Sequence, residues 1–322
     1  MKETSTIDQP KPLTVPTSRT ARQRLLKQIF NNTTLYVFLA PALIYLILFH
    51  YLPLYGLQIA FRDFSPAKGI WNSTWVGMKY FEKFLDSYSF WTLLKNTLFL
   101  SLYQLAVGFP FPLILALVLN YTPIPWLKKT TQTITYAPHF ISIVVLVGMM
   151  FVFLSPTNGI VNIVIRELGG KPIDFLGDPD IFRHLFVWSG VWQTMGWSSI
   201  IYIATLAGVS PELHEAAIVD GATKLRRIWH IDLPMLMPTA VILIILSVGQ
   251  VMNVGFEKTF LMQTPPNLSH SEVISTYVYK IGLQGAQYSY ASAIGLFNNL
   301  INFIVLIAVN KLANKTTQHG LW

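Results

Sequence analysis

The chain has 322 residues, of which 52% are hydrophobic and only 12% are charged. Because soluble domains carry about 25% charged residues, this composition excludes an ordinary soluble protein and indicates a protein that resides in a membrane. The net charge of +8 comes from Lys and Arg scattered among apolar segments, which is typical of cytoplasmic loops rather than nucleic-acid binding, and the lack of cysteine excludes disulfides and thiolate chemistry.

A polar segment precedes the first apolar run. Its prolines predict a disordered tail over residues 1–18. A basic cluster follows, formed by Arg19, Arg22, Arg24 and Lys27. The apolar run after Thr33 is longer than the roughly 7–15 residues of a signal-peptide core, and no small-x-small cleavage pattern follows it. We therefore expect a cytoplasmic basic tail, 1–34, and a first span that is retained.

Six apolar segments are long enough to cross a bilayer, which takes roughly 20 residues. They are residues 35–60, 94–119, 134–154, 185–209, 234–256 and 289–310. Backbone amides must be satisfied internally in hydrocarbon, so each segment is expected to be a helix. The predicted fold class is an all-α polytopic membrane protein with six transmembrane helices, and the predicted transmembrane domain covers residues 35–310.

The basic cluster before the first span sets the predicted orientation, because positively charged loops stay in the cytoplasm. Both termini are then cytoplasmic, and residues 311–322 form a short C-terminal tail. The loops 120–133 and 210–233 face the same side. The chain is thus predicted to be a multi-pass protein of the cell membrane, surrounded by the lipid bilayer.

The loop between spans 4 and 5 is charged but carries helix signals. Ser210-Pro211-Glu212 is typical of a helix start, with a capping residue, a proline in the first turn and an acid at the positive end of the helix dipole. Gly221 ends this helix and permits a sharp turn. A second helix is expected over about 223–232, so the loop should form two short helices across the cytoplasmic end of the bundle. A solvated connector is the alternative, but it would not need the small residues Ala216 and Ala217.

A longer pattern in this loop carries a family resemblance. Glu215-Ala216-Ala217, followed by Gly221 and by Ile231-x-Leu233-Pro234, resembles the EAA loop in permease subunits of binding-protein-dependent ABC importers. The resemblance covers roughly residues 84–310 and places the EAA loop at 210–234.

This resemblance implies that the loop is a cytoplasmic coupling helix between helices 4 and 5, which docks into a groove of an ATPase and transmits its closure to the permease. The residues implied in this ATPase coupling are Glu212, Glu215, Ala216, Ala217, Asp220 and Gly221. The chain has no G-x-x-x-x-G-K-[ST] run. ATP and Mg²⁺ are therefore expected on a separate ATPase chain, with no cofactor or metal on this one, which is expected to be a transport subunit and not an enzyme.

The first span and the loop after it carry a second resemblance. Residues 38–66, followed by Lys68-Gly69-Ile70 and Trp75-Val76-Gly77, are similar to the N-terminal region of carbohydrate-importer permeases, especially a subgroup for complex oligosaccharides in Gram-positive bacteria. The resemblance implies an oligosaccharide substrate that an extracellular sugar-binding lipoprotein captures. It also implies a second permease subunit, forming a heterodimer with this chain, and two ATPase subunits.

Polar residues within spans 4 and 5 are candidates for sugar contacts, because polar groups inside a span are costly and often line a cavity. The candidate substrate-binding residues are Trp192, Gln193, Thr194, Trp197, Ser247, Gln250 and Asn253. The resemblance to sugar permeases implies all of them except Trp192, which belongs to the same polar run. The last three candidates are spaced three apart and are expected on one helical face. Interhelical hydrogen bonds are the alternative for each residue, and the pattern does not decide between them. Span 6 offers three more amides, facing either the partner permease or the pore: Asn298, Asn299 and Asn302.

Two other classes of function remain as alternatives. A secondary transporter or channel for a small polar solute would place carboxylates inside the spans for ion coupling, and the six segments contain essentially none. A membrane enzyme would need a cluster of catalytic residues, whereas His50, His139 and His184 are isolated and lack metal-ligand spacing. An importer permease is therefore the predicted function.

Overall fold

The computed structural model describes residues 32–317, which fall into two compact units divided between residues 57 and 58. The predicted tail 1–34 lies almost entirely outside the described residues, as do residues 318–322. The described part of the first unit is helical. It comprises α1 (Thr33–Leu46), a π-helical turn (Ile47–Tyr51), a short helix (Leu52–Leu54) and the start of a 3₁₀ segment (Tyr55–Phe61). The wide turn precedes Pro53, which has no N–H to donate.

The second unit is helical except for one short antiparallel ladder among its described residues. In the ladder, β1 (Arg62–Asp63) pairs with β2 (Thr74–Trp75). The helices are, in chain order, α2 (Lys79–Leu85), α3 (Phe90–Gly108), α4 (Pro110–Tyr121), α5 (Pro125–Tyr136), α6 (Ile143–Phe153), α7 (Ile160–Glu167), α8 (Pro179–Ala207), α9 (Pro211–Val219), α10 (Lys224–Arg227), α11 (Leu233–Val248), α12 (Phe256–Met262), α13 (Leu268–Ser271), α14 (Ile274–Tyr279) and α15 (Tyr288–Thr317).

Four helical segments in the described part of the chain are long and apolar enough to cross a membrane. They are Thr33–Phe61, Phe90–Tyr121, Lys224–Val248 and Tyr288–Lys315, and the bent pair Pro125–Phe140 and Ile143–Phe153 makes a fifth if it counts as one span. These helices confirm the prediction of an all-α membrane protein. The count of six spans stays a prediction, because α8 is long but more polar than the others.

The third predicted span, 134–154, is wrong as a single helix. Two helical segments, Pro125–Phe140 and Ile143–Phe153, meet at 98°. The break is stabilised from both sides: Ser142 Oγ caps α6 by accepting the N–H of Val145 at 3.3 Å, and Gln193 Nε2 of α8 donates to the carbonyl of Ile141 at 2.8 Å. The polar backbone at the bend is thus satisfied without a continuous helix.

The fifth predicted span, 234–256, is wrong at its end. α11 stops at Val248, and turns follow until α12 begins at Phe256. Two asparagines of α15 hold these turns: Asn302 Oδ1 accepts the N–H of Met252 at 2.9 Å, and Asn298 Nδ2 donates to Asn253 Oδ1 at 3.0 Å. Long-range side-chain bonds therefore replace the helical ones.

The second predicted loop helix, 223–232, is wrong as a separate element. α10 continues through a π-helical turn at Ile228–Asp232 into α11, so that Lys224–Val248 is one segment. The π turn lies just before Pro234, which lacks an N–H, and this placement resembles that of the turn before Pro53. Only the first half of the loop is a separate short helix.

α8 is the central helix of the second unit and packs against α3, α4, α5 and α11. Its N-terminal half contributes Phe182, Phe186 and Val187 to an apolar cluster with residues of α6 and α12. Its other half packs Tyr202 and Leu206 against α4 and α11. The middle of α8, between these clusters, carries the polar residues singled out in the sequence.

Candidate functional site

A cavity of about 500 Å³ lies among α3, α4, α8, α11 and the turn that follows α11. Ligand pockets for small molecules measure roughly 300–1,000 Å³, so this volume suits a small organic ligand. Its polar lining includes Ser101, Gln104, Thr194, Trp197, Ser198, Ser247, Gln250 and Asn253. Five of the seven candidate substrate residues therefore meet at one cavity.

The wall from α8 presents Thr194 and Trp197, which are three residues apart and so share a helical face. The hydroxyl of Thr194 donates to the carbonyl of Gly190 at 2.8 Å and retains its acceptor lone pairs. The indole of Trp197 stacks on the ring of His139, with centroids 4.5 Å apart and planes 4° apart, while 46% of the residue stays exposed. The stacking fixes the orientation of an aromatic surface at the cavity.

The opposite wall presents Ser247 from α11 and Gln250 and Asn253 from the turn beyond it. Gln250 and Asn253 lie past the end of the helix, so the prediction of one helical face for the three is wrong. The turn nevertheless brings them to the cavity, where Asn253 Nδ2 donates to Gln250 Oε1 at 2.8 Å. This wall thus offers a hydroxyl and two linked amides.

Trp192 and Gln193 do not line this cavity. Gln193 is buried, and its amide donates to the carbonyl of Ile141 at the bend between α5 and α6. That bond corresponds to the interhelical alternative for this residue. Trp192 points elsewhere on α8 and is 44% exposed.

Three polar residues of the cavity were missed by the sequence analysis: Ser198, which follows Trp197 on α8, and Ser101 and Gln104. The last two lie three residues apart within the second predicted span, the same spacing that singled out Ser247 and Gln250. Polar residues at that spacing within a long apolar segment could have identified them from the sequence. The third wall of the cavity is therefore also polar.

The coupling-loop candidates lie on and just after α9. Glu212, Glu215, Ala216, Asp220 and Gly221 are exposed, while Ala217 is half-buried. Ser210 occupies the N-cap position, as predicted, although its side chain makes no capping hydrogen bond. The helix thus presents its acidic and small residues on the surface.

The predicted turn at Gly221 is confirmed. Gly221 has a φ of +75°, a conformation that glycine adopts without strain. The N–H of Ala222 donates to the carbonyl of Ala217 at 2.8 Å, and the N–H of Gly221 donates to Ile218 at 3.0 Å, which is the Schellman arrangement. A left-handed residue therefore fixes the end of α9.

A buried carboxylate ties α9 to the helical bundle, and the sequence analysis did not assign it a role. Asp232 is fully buried, and its Oδ2 accepts the hydroxyl of Tyr121 at 2.6 Å. Nε2 of His214, on α9, lies 3.3 Å from Oδ1. Because Tyr121 ends α4 and Asp232 precedes α11, one side chain joins three helices. The position of this acid, immediately before Leu233-Pro234 at the start of an apolar span, could have identified it from the sequence.

No group of three or more potential metal ligands occurs among residues 32–317. His184 lies in α8, where its Nδ1 is 2.8 Å from the hydroxyl of Tyr103. His139 stacks on Trp197. Both histidines take part in contacts between helices.

Comparisons with known proteins agree with this architecture. Residues 94–318 match the family model described as binding-protein-dependent transport system inner membrane component. The chain is 43% identical to Protein LplB of Bacillus subtilis (strain 168) over 89% of this chain and 91% of the relative. It is 41% identical to the polygalacturonan/rhamnogalacturonan transport system permease protein YteP of the same organism, over 94% of each chain.

Solved structures show the same likeness. A crystal structure of a bacterial ABC transporter involved in the import of the acidic polysaccharide alginate contains a chain that is 38% identical, with a TM-score of 0.85 over 91% of this chain and 99% of that one. The corresponding complex with an alginate pentasaccharide-bound periplasmic protein gives a TM-score of 0.86, at 38% identity over 92% and 100% of the two chains. The family model matches most of the chain, and the described fold agrees with it. The chain belongs to the inner-membrane components of binding-protein-dependent transport systems, and is therefore the permease subunit of an ABC importer rather than an enzyme.

Proposed function

We propose that this permease translocates oligosaccharides, which an extracellular solute-binding protein delivers, across the cell membrane of a Gram-positive bacterium. The proposal is supported by the relatives, which include a polygalacturonan/rhamnogalacturonan permease from Bacillus subtilis and a chain of an alginate importer bound to its sugar-loaded periplasmic protein. A second permease, which differs from this chain, completes the pathway. Two ATPase subunits, which carry ATP and Mg²⁺, supply the energy.

The proposed topology has six spans with both termini in the cytoplasm. α8 is the span that composition alone does not identify. With 29 residues it is about 43 Å long, which exceeds the roughly 30 Å of a hydrocarbon core. Polar residues in its middle either line the cavity, as Thr194 and Ser198 do, or bond a neighbouring segment, as Gln193 does, which accounts for its lower apolar content. The transmembrane domain is then residues 35–310, flanked by cytoplasmic tails at 1–34 and 311–322.

The convergence of polar side chains from separate segments on one cavity carries the proposal of a sugar site. Thr194 and Trp197 come from α8, Ser247 from α11, and Gln250 and Asn253 from the turn. Hydroxyls and amides both donate and accept hydrogen bonds, as sugar hydroxyls do. Each can therefore replace a hydrogen bond between the sugar and water that is broken when the sugar enters the cavity. A fixed indole surface covers the apolar C–H side of a sugar ring.

The proposed coupling site is the exposed surface of α9 and the turn after it. Glu212, Glu215 and Asp220 supply negative charge, while Ala216 and Gly221 permit the close approach of another protein. The hydrogen bond from Tyr121 to Asp232 and the 3.3 Å contact between Asp232 and His214 would transmit a displacement of α9 to α4 and α11. The coupling helix thus joins the ATPase to two helices that line the cavity.

The experiment is oligosaccharide uptake by the complete importer reconstituted in liposomes, with ATP hydrolysis measured in parallel. We expect uptake to require ATP and the binding protein, and Glu215→Ala to reduce uptake while the subunit remains inserted. Glu167→Ala, a matched change on α7 at the far end of α8 from the coupling loop, should leave uptake unchanged. Uptake by this permease alone, driven by an ion gradient, would instead support a secondary transporter and contradict the proposal.

A further inference from the structure

Lys258, on α12, is a buried lysine that the proposed function leaves unexplained. Only 7% of the residue is exposed. Its ammonium donates to the carbonyl of Phe186 at 2.7 Å and lies 4.9 Å from the centroid of the Phe186 ring. The side chain is therefore held among residues of α8, away from water.

The charge of Lys258 has no counterion among the described residues. The ion pairs in this part of the chain, found within 4.0 Å, involve other residues. An ammonium has three donors, and one of them is bound to a carbonyl that also accepts from Ser189 Oγ at 3.3 Å. Burial lowers the pKa of Lys258 to about 7, because it removes the water that stabilises the cation. A nearby anion would restore that stabilisation.

The ammonium lies beside the turn of α8 that precedes the cavity residue Thr194. A Cβ placed on Gly190 would be 3.2 Å from Nζ, so the missing side chain leaves room for the charge. Gly190 is one turn from Thr194, which lines the cavity and donates to the Gly190 carbonyl at 2.8 Å. One helical turn is about 5.4 Å, which the flexible lysine stem can span. The lysine lies on the side of the cavity away from α9.

We propose that Lys258 is a charge-selecting residue of the transport pathway, which pairs with carboxylates of uronic-acid units in an acidic oligosaccharide. This inference rests on the proposed oligosaccharide import. A buried cation beside a sugar cavity is stabilised by an anionic substrate and gains nothing from a neutral one. The alginate importer and the polygalacturonan permease, both similar to this chain, are named for polymers of uronic acids. An acidic side chain of another subunit is the competing partner, and the comparison of acidic with neutral substrates below separates the two.

The test uses the complete importer in liposomes and a matched pair of substrates. One is a mixture of galacturonic, mannuronic and guluronic acid trisaccharides, and the other is the same mixture after its carboxyl groups are reduced to alcohols. Initial uptake rates are measured at saturating binding protein for the wild type, Lys258→Met and Lys258→Arg. Methionine has a similar length without charge, and it suits the apolar surroundings, so the assembled complex should be recovered in normal yield.

We expect Lys258→Met to lower the ratio of acidic to neutral uptake at least tenfold, since a charge-assisted contact in a dry site is lost. Lys258→Arg should keep most of the ratio. Equal loss of both substrates, or poor assembly of Lys258→Met, would assign the lysine to a structural or subunit contact and overturn the inference. If the wild type imported only the reduced mixture, the role of Lys258 would be overturned but the proposed oligosaccharide import would stand. If it imported neither mixture, both the role of Lys258 and the proposed oligosaccharide import would be overturned.

Discussion

Replacement of Gly196 by alanine tests the packing between α5 and α8 that supports the cavity. Gly196 lies between Thr194 and Trp197 on α8 and faces the backbone of α5. A Cβ at this position would approach the carbonyl carbon and oxygen of Thr135 closer than 3.0 Å, a separation that real Cβ atoms essentially never show. The obstacle is backbone, so a rotamer change cannot relieve it, and the two helices must move apart.

The expected destabilisation follows from two opposing terms. Overpacking costs about 1–3 kcal/mol, and the upper half of that range applies because the clash involves a main-chain group. Alanine favours the helix over glycine by about 1 kcal/mol. The net loss is about 1–2 kcal/mol, and the displaced helix also shifts Trp197 relative to the rest of the cavity. Gly196→Ala should therefore lower both the unfolding midpoint and the uptake rate.

The measurement compares thermal unfolding of the purified complex and its uptake rate with those of Gly148→Ala. Gly148 lies in the interior of α6, and a Cβ there would have no atom within 4 Å. This control gains the same preference of alanine over glycine in a helix but introduces no clash, so it should leave stability unchanged or raise it slightly. If Gly196→Ala unfolds at the same temperature as Gly148→Ala and transports normally, the close approach of α5 and α8 is wrong.

Three further substitutions test the cavity, the connection of α9 and the buried contacts of α7. Trp197→Ala should reduce oligosaccharide uptake at least tenfold by removing the stacking surface, whereas Trp192→Ala, outside the cavity, should not; equal losses in uptake assays would contradict the assignment. Asp232→Asn keeps the shape but removes the negative partner of His214, so the amount of sugar moved per ATP hydrolysed should fall severalfold, and an unchanged ratio would rule out the proposed transmission. Asn162→Ala removes a fully buried amide that makes four hydrogen bonds, so a loss of about 3 kcal/mol or more should appear as a lower unfolding midpoint, and an unchanged midpoint would refute that reasoning.

The sequence predicted well those parts of the fold that the surrounding lipid or the local backbone conformation determines. Long apolar runs become helices because lipid leaves the backbone no other partner, and α1, α3 with α4, and α15 lie where that rule places them. The end of α9 was also predictable, since the left-handed turn needs a residue such as Gly221. Both signals are local in the chain.

Features that depend on distant residues were not predictable. Pro138 is a local signal for a kink, but the 98° bend near Ile141 is also held by Gln193, 52 residues away. The end of α11 depends on Asn298 and Asn302 of α15. For the same reason Gln193 was predicted to bind substrate. The sequence cannot distinguish an amide that contacts a substrate from one that bonds a neighbouring helix.

The single buried carboxylate of Asp232 also limits how this subunit can evolve. Its neighbours are the ends of two helices and a residue of α9, the proposed coupling helix, so a change on α9 that suits a new ATPase must still accommodate His214 beside Asp232. The exposed face of α9, which is the proposed coupling surface, is constrained by the ATPase instead. Exchange of ATPases between related importers should therefore change Glu212, Glu215 and their exposed neighbours to match the new ATPase, while the underside of the helix is retained.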